Sequence, residues 1–327
     1  MDAMSTVSVV IPTWNRADLV RKVLLSLQDQ TTAPAEIIVV DNGSTDETPQ
    51  VVRESGARLI ALANNEGFAA AVNEGVRNAA FEWVLILNND VELDRDWIAC
   101  ALTTGGRLGV DFVTGKLLQA QSPGRIDGTW DLVSRAGCAW RCGWNSLDGP
   151  RWSETRRVRI PSLTAAMFRR HVFQKVGLLD TAYKSYYEDV DFGIRCALRH
   201  VEGCYEPRAK ATHLGSATFK RDKRVTYFVA RNQILLAKKF RLAEVNRWSV
   251  MVGQVLALVP AFRQQHFMAA IRGKYNGWRW AKSMSNSVFD ARELDAFLTD
   301  QESELYEEQK KSGFDLSWRL YFMATGR

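Results

Sequence analysis

The sequence predicts an α/β protein in which a mostly parallel central sheet is flanked by helices and followed by a helical C-terminal region. Short apolar runs of strand length alternate with stretches of helical spacing through the N-terminal third of the chain. Polar residues directly follow three of the apolar runs, as expected where parallel strands end at one edge of a sheet. Beyond residue 226 the pattern is mainly helical.

Each element is predicted from its own local pattern. Pro12 ends the first apolar run, Asn15 is placed to cap the helix that follows, and Ser44 and Glu47 form a capping box for the next helix. In chain order the sequence predicts a strand at 7–11, a helix to about 30, a strand at 36–41, a helix from 44, a strand at 58–62, a helix that includes 74–80, a strand at 83–87, a strand at 163–168, a helix at 172–179 and a helical stretch over 226–251.

The 327 residues divide into two predicted domains. We expect residues 1–240 to form an α/β domain with two halves, over about 1–115 and about 116–240. Residues 241–327 form a helical region. Residues 105–159 are rich in Gly, Trp and Arg and show weak periodicity, so we expect loops and short strands that border the site.

Composition excludes several protein classes. A hydrophobic fraction of 46% and a charged fraction of 24% exclude a disordered or collagen-like chain, and a net charge of +6 is compatible with anionic partners or with a plain basic surface. The five cysteines, an odd number without regular spacing, argue against a disulfide framework and against a zinc site. We expect no signal peptide, and the apolar run 248–262 is too short and too interrupted to span a membrane, which favours a cytoplasmic location.

Three polar clusters follow the predicted strands, at 12–15, 41–44 and 88–90. Ligands of parallel sheets bind beyond the carboxyl ends of the strands, so these clusters predict a binding site at one edge. The first turn lacks the glycines of a dinucleotide site. Asp41 either contacts a nucleoside or caps its own turn, and the sequence leaves these two readings equal.

Two residues are candidates for binding a metal ion. Asp90 offers the carboxylate that a hard divalent cation prefers, with Asn88 as a weaker neighbour, although Asn-Asn-Asp is also ordinary turn chemistry. His213 can complete the shell of Mg²⁺ or Mn²⁺, or it is a structural histidine.

The acidic cluster of Glu188, Asp189 and Asp191 lies among aromatic residues. A carboxylate with a raised pKa in a partly apolar pocket suits a general base that takes a proton from an acceptor hydroxyl. The same acids also favour the positive end of a helix dipole, and both interpretations can hold together.

The order and spacing of these clusters resemble one family. The motifs are Ser8-Val9-Val10-Ile11-Pro12-Thr13-Trp14-Asn15-Arg16, Val40-Asp41-Asn42-Gly43-Ser44-Thr45-Asp46, Asn64-Asn65-Glu66-Gly67-Phe68-Ala69, Leu87-Asn88-Asn89-Asp90-Val91, Tyr187-Glu188-Asp189-Val190-Asp191 and His213-Leu214-Gly215-Ser216. Over about residues 7–240 they resemble family 2 glycosyltransferases with the GT-A (Rossmann-like) fold, and most closely the rhamnosyltransferase-like branch of bacterial polysaccharide assembly.

The resemblance implies an inverting glycosyltransferase whose catalytic domain is residues 1–240, with a donor-binding half over about 1–115 and an acceptor-binding half over about 116–240. It would move rhamnose or another hexose from a dTDP-, UDP- or GDP-sugar to a hydroxyl of a glycan or lipid-linked acceptor. Asp90 and His213 would bind Mg²⁺ or Mn²⁺, and Asp189 would be the general base, supported by Glu188 and Asp191. The nucleotide-sugar would contact Pro12, Thr13, Asn15, Arg16, Asp41, Asn42, Ser44, Asn65, Gly67, Phe68, Asn73, Asn88 and Asn89.

This sequence departs from the family pattern at two places. Asn88 and Asn89 are neutral, so Asp90 is the one carboxylate of the metal motif, and Thr164-Ala165-Ala166 replaces a usual glycine. A sugar nucleotidyltransferase is the distant alternative, because its glycine-rich phosphate loop is missing here. A nucleic-acid binder is less favoured still, because acidic clusters at the strand ends would repel phosphates.

The C-terminal third mixes basic and aromatic residues. This composition predicts peripheral contact with an anionic membrane on its inner face, or equally a helical appendage packed on the catalytic domain. The basic residues are Lys238, Lys239, Arg241, Arg247, Arg263, Arg272, Lys274, Arg279 and Lys282, and the aromatic residues are Trp248, Phe262, Phe267, Tyr275, Trp278 and Trp280.

Overall fold

The computed structural model describes residues 7–214, 222–282 and 289–326. Its strands are β1 (Val7–Thr13), β2 (Glu36–Asp41), β3 (Arg58–Ala61), β4 (Trp83–Leu87), β5 (Val91–Leu93), β6 (Phe112–Gln119), β7 (Ile126–Gly128), β8 (Trp130–Val133), β9 (Ala139–Arg141), β10 (Arg156–Val158), β11 (Ile160–Pro161), β12 (Ala165–Arg169) and β13 (Gly203–His213). Its α-helices are α1 (Ala17–Gln28), α2 (Thr48–Glu54), α3 (Phe68–Asn78), α4 (Trp97–Leu108), α5 (His171–Val176), α6 (Glu188–Leu198), α7 (Lys223–Lys239), α8 (Leu242–Leu256), α9 (Leu258–Arg263), α10 (Phe267–Ala281), α11 (Ala291–Ser312) and α12 (Leu316–Thr325).

The central sheet has the strand order β10-β13-β6-β12-β4-β1-β2-β3. Strands β4, β1, β2 and β3 pair in parallel, as βαβ units require. The predicted α/β class with a mostly parallel central sheet is confirmed. Strand β12 pairs antiparallel with both β4 and β6, which the periodicity of the sequence does not reveal.

Helices cover both faces of the sheet. Alternate side chains of β1 point to opposite faces, so this strand contacts helices on both sides. Val9 and Ile11 belong to the core that α1 and α4 cover. Val10 faces α3, where Gly75 approaches so closely that an added Cβ would lie 2.2 Å from Val10 Cγ1. Strand β1 is therefore buried on both sides, which explains its continuous apolar run.

Several predicted boundaries are wrong. Strand β1 continues through Pro12 to Thr13, because parallel pairing with β2 extends that far. Asn15 does not cap α1, since its Oδ1 accepts a hydrogen bond from Thr45 N and Asp46 Oδ2 accepts from Ala17 N. The capping box at Ser44 is also wrong, because α2 begins only at Thr48.

The region 105–159 contains more regular structure than predicted. Strand β6 is eight residues long and pairs in parallel with β13. The register between these strands shifts between Glu206 and Lys210, so β13 carries extra residues opposite the Gly115–Lys116 step of β6. An added Cβ on Gly115 would lie 2.1 Å from Ala209 O, so glycine permits this irregularity.

The chain forms two compact units, and each unit consists of several segments that alternate along the sequence. Within the described residues, unit 1 comprises 7–130, 143–184 and 192–214, and it holds the central sheet. Unit 2 comprises 131–142, 185–191, 222–282 and 289–326. It holds the antiparallel pair β8–β9 and helices α7–α12.

Helices α7 and α10 pack closely against each other in unit 2. An added Cβ on Gly273 would lie 2.4 Å from Tyr227 O, and one on Gly277 would lie 2.5 Å from Arg231 O. The next helices, α8 and α9, form a stretch (Leu242–Arg263) that is long and apolar enough to cross a membrane by length and composition, with a mean hydropathy of 1.2. That stretch is longer than the apolar run noted in the sequence.

Candidate functional site

The ends of β1, β2 and β4 bring the predicted donor residues of unit 1 to one edge. Thr13 lies opposite Asp41 in the parallel register, and both are buried. Asn89, which follows β4, donates from Nδ2 to Thr13 Oγ1 at 2.8 Å. Asp41 Oδ1 accepts from the backbone N–H of Ser44 at 3.1 Å. The three polar clusters of the sequence therefore meet at the carboxyl end of the sheet.

The turn after β1 is held against the turn after β2. Asn15 N donates to Ser44 Oγ at 2.6 Å, and Asn15 Oδ1 accepts from Thr45 N at 2.9 Å. Asn15 and Arg16 both adopt left-handed backbone conformations, which are uncommon for residues other than glycine. Local strain of this kind persists where the surrounding contacts maintain it, and it is frequent at binding sites.

The loop that precedes α3 is fixed by the buried Asn42. Its Nδ2 donates to Gly67 O at 3.0 Å and to Asn65 Oδ1 at 3.2 Å, and its Oδ1 accepts from Glu66 N. Gly67 has φ 96°, and an added Cβ would lie 2.8 Å from Lys184 O. Phe68 then begins α3. Asn42 therefore shapes the loop that carries Asn65 and Gly67.

Asn73 is predicted to contact the nucleotide, but its amide is engaged elsewhere. Nδ2 donates to Leu179 O at 2.8 Å, and Oδ1 accepts from Leu179 N at 2.9 Å. The side chain is buried. This two-ended pairing gives Asn73 a structural role, in which it joins α3 to the segment after α5.

Asp90, His213 and Asp127 are brought together by strand register in unit 1. The antiparallel pairing of β5 with β13 places His213 opposite Val91, directly beside Asp90. His213 Nε2 lies 3.2 Å from Asp90 Oδ2, and His213 Nδ1 lies 2.8 Å from Asp127 Oδ2. Asp127 is fully buried on β7, which pairs with β6.

This arrangement fits a divalent cation. Two ligand atoms bound about 2.1–2.2 Å from one ion at a right angle lie about 3 Å apart, which matches the Asp90–His213 separation. Asp127 orients the imidazole through its other nitrogen, as carboxylates commonly do behind metal-bound histidines. The nearby Asn88 Oδ1 is buried and has no hydrogen-bond partner among the described residues.

The pair alone does not form a complete metal shell. Within 7–214, 222–282 and 289–326, no group of three or more His, Cys, Asp or Glu side chains is arranged to hold an ion. Burial disfavours a charged imidazole, but hydrogen bonds to Asp127 and Asp90 outweigh it and raise the pKa of His213 to about 9. Any cation here would replace that proton and would need further ligands from a bound diphosphate or water.

The acidic cluster lies in unit 2 at the start of α6. Glu188 and Asp191 are buried, and Asp191 Oδ1 lies 2.7 Å from Nζ of the buried Lys239. Glu188 Oε2 is buried without a hydrogen-bond partner among the residues that the structure describes. Asp189 is partly exposed. It is therefore the member of the cluster that a substrate can reach most readily.

Burial raises the pKa of Asp189, although the Arg141 guanidinium opposes this effect. Burial also raises the pKa of Glu188 well above its usual range, and the negative charges of Asp189 and Asp191 add to the increase. A carboxylate with a raised pKa is a stronger base once it is ionised. The cluster therefore has the electrostatics of a general base.

Side chains of α7 hold the backbone that leads into the acidic cluster. Tyr186 and Tyr187 have φ values of 67° and 72°, so two consecutive residues are left-handed. Asn232 Nδ2 donates to Ser185 O at 2.8 Å and to Tyr186 O at 2.7 Å. Gln233 Nε2 donates to the Tyr187 hydroxyl at 3.0 Å. These contacts compensate for the strain of the left-handed backbone.

Sequence reasoning missed the residues that support the site. They include Asp127, Asn232, Gln233 and, as an ion-pair partner, Lys239. Asn232 and Gln233 are polar residues at buried positions of a helix, and that departure from the apolar pattern is a signal that could have identified them. Asp127 lies in a three-residue strand without any recognisable motif. Gly215 and Ser216 of the His213 motif lie outside the described residues.

Comparisons with known proteins identify relatives. A family model described as Glycosyl transferase family 2 matches residues 8–177. The chain is 27% identical over 242 residues to N-acetylglucosaminyl-diphospho-decaprenol L-rhamnosyltransferase of Mycobacterium tuberculosis, with 65% of this chain and 78% of the relative covered. It is 26% identical over 211 residues to poly-β-1,6-N-acetyl-D-glucosamine synthase of Staphylococcus epidermidis, with 62% and 48% covered.

One solved structure shows the same fold. The chain superposes on GalNAc-T7, crystallised with UDP, GalNAc and Mn²⁺, with a TM-score of 0.61. The superposition covers 97% of this chain and 59% of that structure. The sequence identity is 13%, so the likeness concerns the fold.

Proposed function

Because the chain belongs to glycosyltransferase family 2, we propose that it transfers a sugar from a nucleoside-diphosphate donor to an acceptor hydroxyl with inversion at the anomeric carbon. The resemblance drawn from the sequence motifs is confirmed at the level of the family. The nucleotidyltransferase and nucleic-acid-binding alternatives are not favoured. The Asp90–His213–Asp127 arrangement is the observation that best supports a diphosphate-bearing donor.

The donor would bind at the edge formed by β1, β2 and β4. Asp41 and Thr13, which lie opposite each other at this edge, would contact the nucleoside, and the Asn65–Gly67 loop that Asn42 fixes would border it. Asp90 and His213 would hold a divalent cation, whose charge stabilises the departing diphosphate. Asn88 Oδ1, which is buried without a hydrogen-bond partner among the described residues, would be a further oxygen near this cation.

The acceptor would be activated by Asp189. Its carboxylate takes the proton of the acceptor hydroxyl while the oxygen attacks the anomeric carbon, and the bond from that carbon to the diphosphate oxygen breaks. Burial raises the pKa of Asp189 and so favours proton uptake, and Glu188 and Asp191 would support the base from the same first turn of α6. The left-handed Tyr186–Tyr187 segment would fix the position of the carboxylate.

The identities of the donor and the acceptor are proposed from relatives. The mycobacterial relative is named as a rhamnosyltransferase for a diphospho-decaprenol-linked sugar, and the staphylococcal relative as a polysaccharide synthase. We propose rhamnose or another hexose carried by dTDP, UDP or GDP, and a glycan or lipid-linked acceptor in cell-surface polysaccharide synthesis. Such an acceptor places the enzyme at the cytoplasmic face of an anionic membrane, which it would contact peripherally.

A donor panel tests the proposal. The purified chain is incubated with dTDP-, UDP- and GDP-sugars with Mg²⁺, with Mn²⁺ or with EDTA, and release of nucleoside diphosphate is measured. We expect one nucleotide class to be hydrolysed slowly and EDTA to suppress the reaction. The same nucleoside diphosphate with Mn²⁺ should raise the melting temperature. Absence of turnover and of stabilisation across the panel would refute the donor assignment.

Variants separate the two halves of the mechanism. Asp90→Asn should weaken metal-dependent binding of the nucleoside diphosphate at least tenfold, because it removes the one carboxylate ligand. Asp189→Asn should keep that affinity and lower the transfer rate at least a hundredfold. Asp94→Asn, at an exposed carboxylate four residues beyond Asp90, is the matched control and should change neither quantity. Undiminished transfer by Asp189→Asn would exclude Asp189 as the base.

A further inference from the structure

Unit 2 carries most of the exposed large apolar side chains. Among the described residues, the exceptions in unit 1 are Trp14, Leu25 and Leu147. Apolar groups that cluster at the surface mark an interaction site, whereas single exposed ones need no explanation. The members in unit 2 are Trp248, Met251, Val255, Phe262, Phe267, Met268, Ile271, Tyr275, Trp278, Trp280, Leu316, Leu320 and Met323.

The exposed residues of α8 and α9 lie on one stripe. At 100° per residue, Trp248, Met251, Val255 and Phe262 fall within roughly 60° of arc. The buried face of this segment lies on the opposite side. An added Cβ on Gly253 would lie 2.2 Å from Ala136 Cβ, so that face packs tightly against the rest of unit 2. The segment therefore presents apolar surface outward while its other side is anchored.

Helix α10 shows the same division. Met268, Ile271, Tyr275 and Trp278 fall within roughly 80° of arc and are exposed. The small residues Ala270, Gly273, Gly277 and Ala281 lie on the opposite, buried side. The apolar stripes of α9 and α10 meet at Phe262 and Phe267, whose ring centroids lie 6.2 Å apart.

The charge of this segment is strongly one-sided. Residues 241–282 contain a single acidic residue, Glu244, which pairs with Arg241. Lys282 lies over the Trp278 ring at 4.1 Å. Aromatic and basic side chains in this combination suit the headgroup region of an anionic bilayer. The basic residues of the segment that can face headgroups are Arg241, Arg247, Arg263, Arg272, Arg279 and Lys282, whereas Lys274 directs its Nζ inward to Gln254.

Although Leu242–Arg263 is long and apolar enough to span a bilayer, its contacts favour a different orientation. Asn246 has non-helical torsions, so the uninterrupted helix from Arg247 onward covers roughly 17 residues, or about 25 Å, less than the roughly 30 Å hydrocarbon core. Gln254 donates to Ala136 O and accepts from Lys274 Nζ at 2.7 Å. A spanning orientation would break these contacts.

We propose that helices α8–α10 form a docking surface for an anionic membrane, in which α8 and α9 lie in the plane of the interface. The proposal deepens the proposed function, since it names the surface that would bring the chain to a lipid-linked acceptor. A second copy of the chain is a poorer occupant, because it would place two strongly basic surfaces against each other.

Vesicle binding tests the surface with the full chain. The protein is floated with vesicles of phosphatidylcholine alone or with added phosphatidylglycerol, at low and high salt. We expect at least tenfold tighter binding to the anionic vesicles, weakened by salt. Equal binding to both vesicle types, or none to either, would overturn the proposal.

Three variants test which residues are responsible. Val255→Asp and Met268→Asp place a charge on the α8–α9 and α10 stripes, at side chains that are 61% and 75% exposed. Together they should weaken binding at least tenfold. Leu147→Asp makes the same change at a 68% exposed residue of unit 1 and should have no effect. Equal binding by the double variant and the control would refute the assignment.

Two further measurements exclude other arrangements. Alkaline carbonate should release the bound protein from vesicles, and retention would show a spanning helix instead. Sedimentation should give a monomer without lipid, and a dimer that the double variant dissociates would assign the surface to self-association. Donor hydrolysis without vesicles is measured in parallel. If the chain floats with anionic vesicles but hydrolyses no donor, the transfer reaction alone is refuted. If it hydrolyses a donor but does not float, the membrane surface alone is refuted.

Discussion

Removal of the Lys239 ammonium is expected to destabilise unit 2 strongly. Nζ of Lys239 lies 2.7 Å from Asp191 Oδ1, and both side chains are almost completely buried. Lys239→Met keeps most of the aliphatic length and removes the charge. The variant leaves the Asp191 carboxylate inside the protein without this cation, which is the costly outcome for a buried ion pair.

The magnitude follows from the distance. With an effective dielectric constant of about 20, two unit charges 2.7 Å apart attract by about 6 kcal/mol. Asp191 lies in the first turn of α6, where the helix dipole also stabilises a negative charge. We therefore expect Lys239→Met to lower the free energy of unfolding by about 3 kcal/mol, within the range for broken buried pairs.

Urea unfolding measures the loss. Lys223→Met, at an exposed lysine that begins the same helix, is the matched control and should change the free energy of unfolding by less than about 0.5 kcal/mol. Adding Asp191→Asn to Lys239→Met removes the buried negative charge as well and should recover about 1–2 kcal/mol. If the double variant were as unstable as the sum of the single variants, the ion-pair reasoning would be wrong.

Three other predictions concern backbone, pH and catalysis. Gly67→Ala should cost about 2–3 kcal/mol in urea unfolding, because φ is 96° and the new Cβ meets Lys184 O, whereas Gly56→Ala, with open space, should cost about 1 kcal/mol; equal costs would contradict this. Burial raises the pKa of Glu206, but hydrogen bonds from Arg208 and Thr104 outweigh the effect of burial and lower the pKa to about 2. This stabilisation is complete above pH 4.5 and is lost as the pH falls towards 2. Glu206→Gln should therefore remove about 1–2 kcal/mol of the decrease in unfolding free energy at acid pH, a value reduced because solvent surrounds Arg208. An unchanged decrease would refute the assignment. Asn232→Ala should lower kcat about tenfold and leave the donor KM unchanged, because it frees the Tyr186 backbone before the base, and a change confined to KM would disagree.

The parallel half of the sheet could be predicted because its information is local. Continuous apolar strands and the polar residues at their ends identify β1, β2 and β4 without reference to the rest of the chain. The same patterns indicated Asp41 and Asp90 at the strand ends. Their proximity along one edge follows from parallel pairing, which the βαβ order requires.

Contacts between distant segments could not be predicted in the same way. Asn15 has the residue type of a helix cap, but its side chain pairs with Thr45, a partner that becomes available only after β1 and β2 have aligned. Asp127 supports His213 across three strands, and no local pattern records that alignment. The antiparallel position of β12 depends on long-range pairing in the same manner.

The shifted register between Glu206 and Lys210 has a consequence for how this protein tolerates insertions and deletions. Successive strand residues point to opposite faces, so the number of residues in this bulge decides which face His213 occupies when it reaches Val91. Loss of one residue there that shifted the register of the Lys210–His213 segment by one would turn the imidazole away from Asp90, even if the strands still paired. We expect length changes in related sequences to be accommodated in surface loops, with the spacing from Glu206 to His213 held constant.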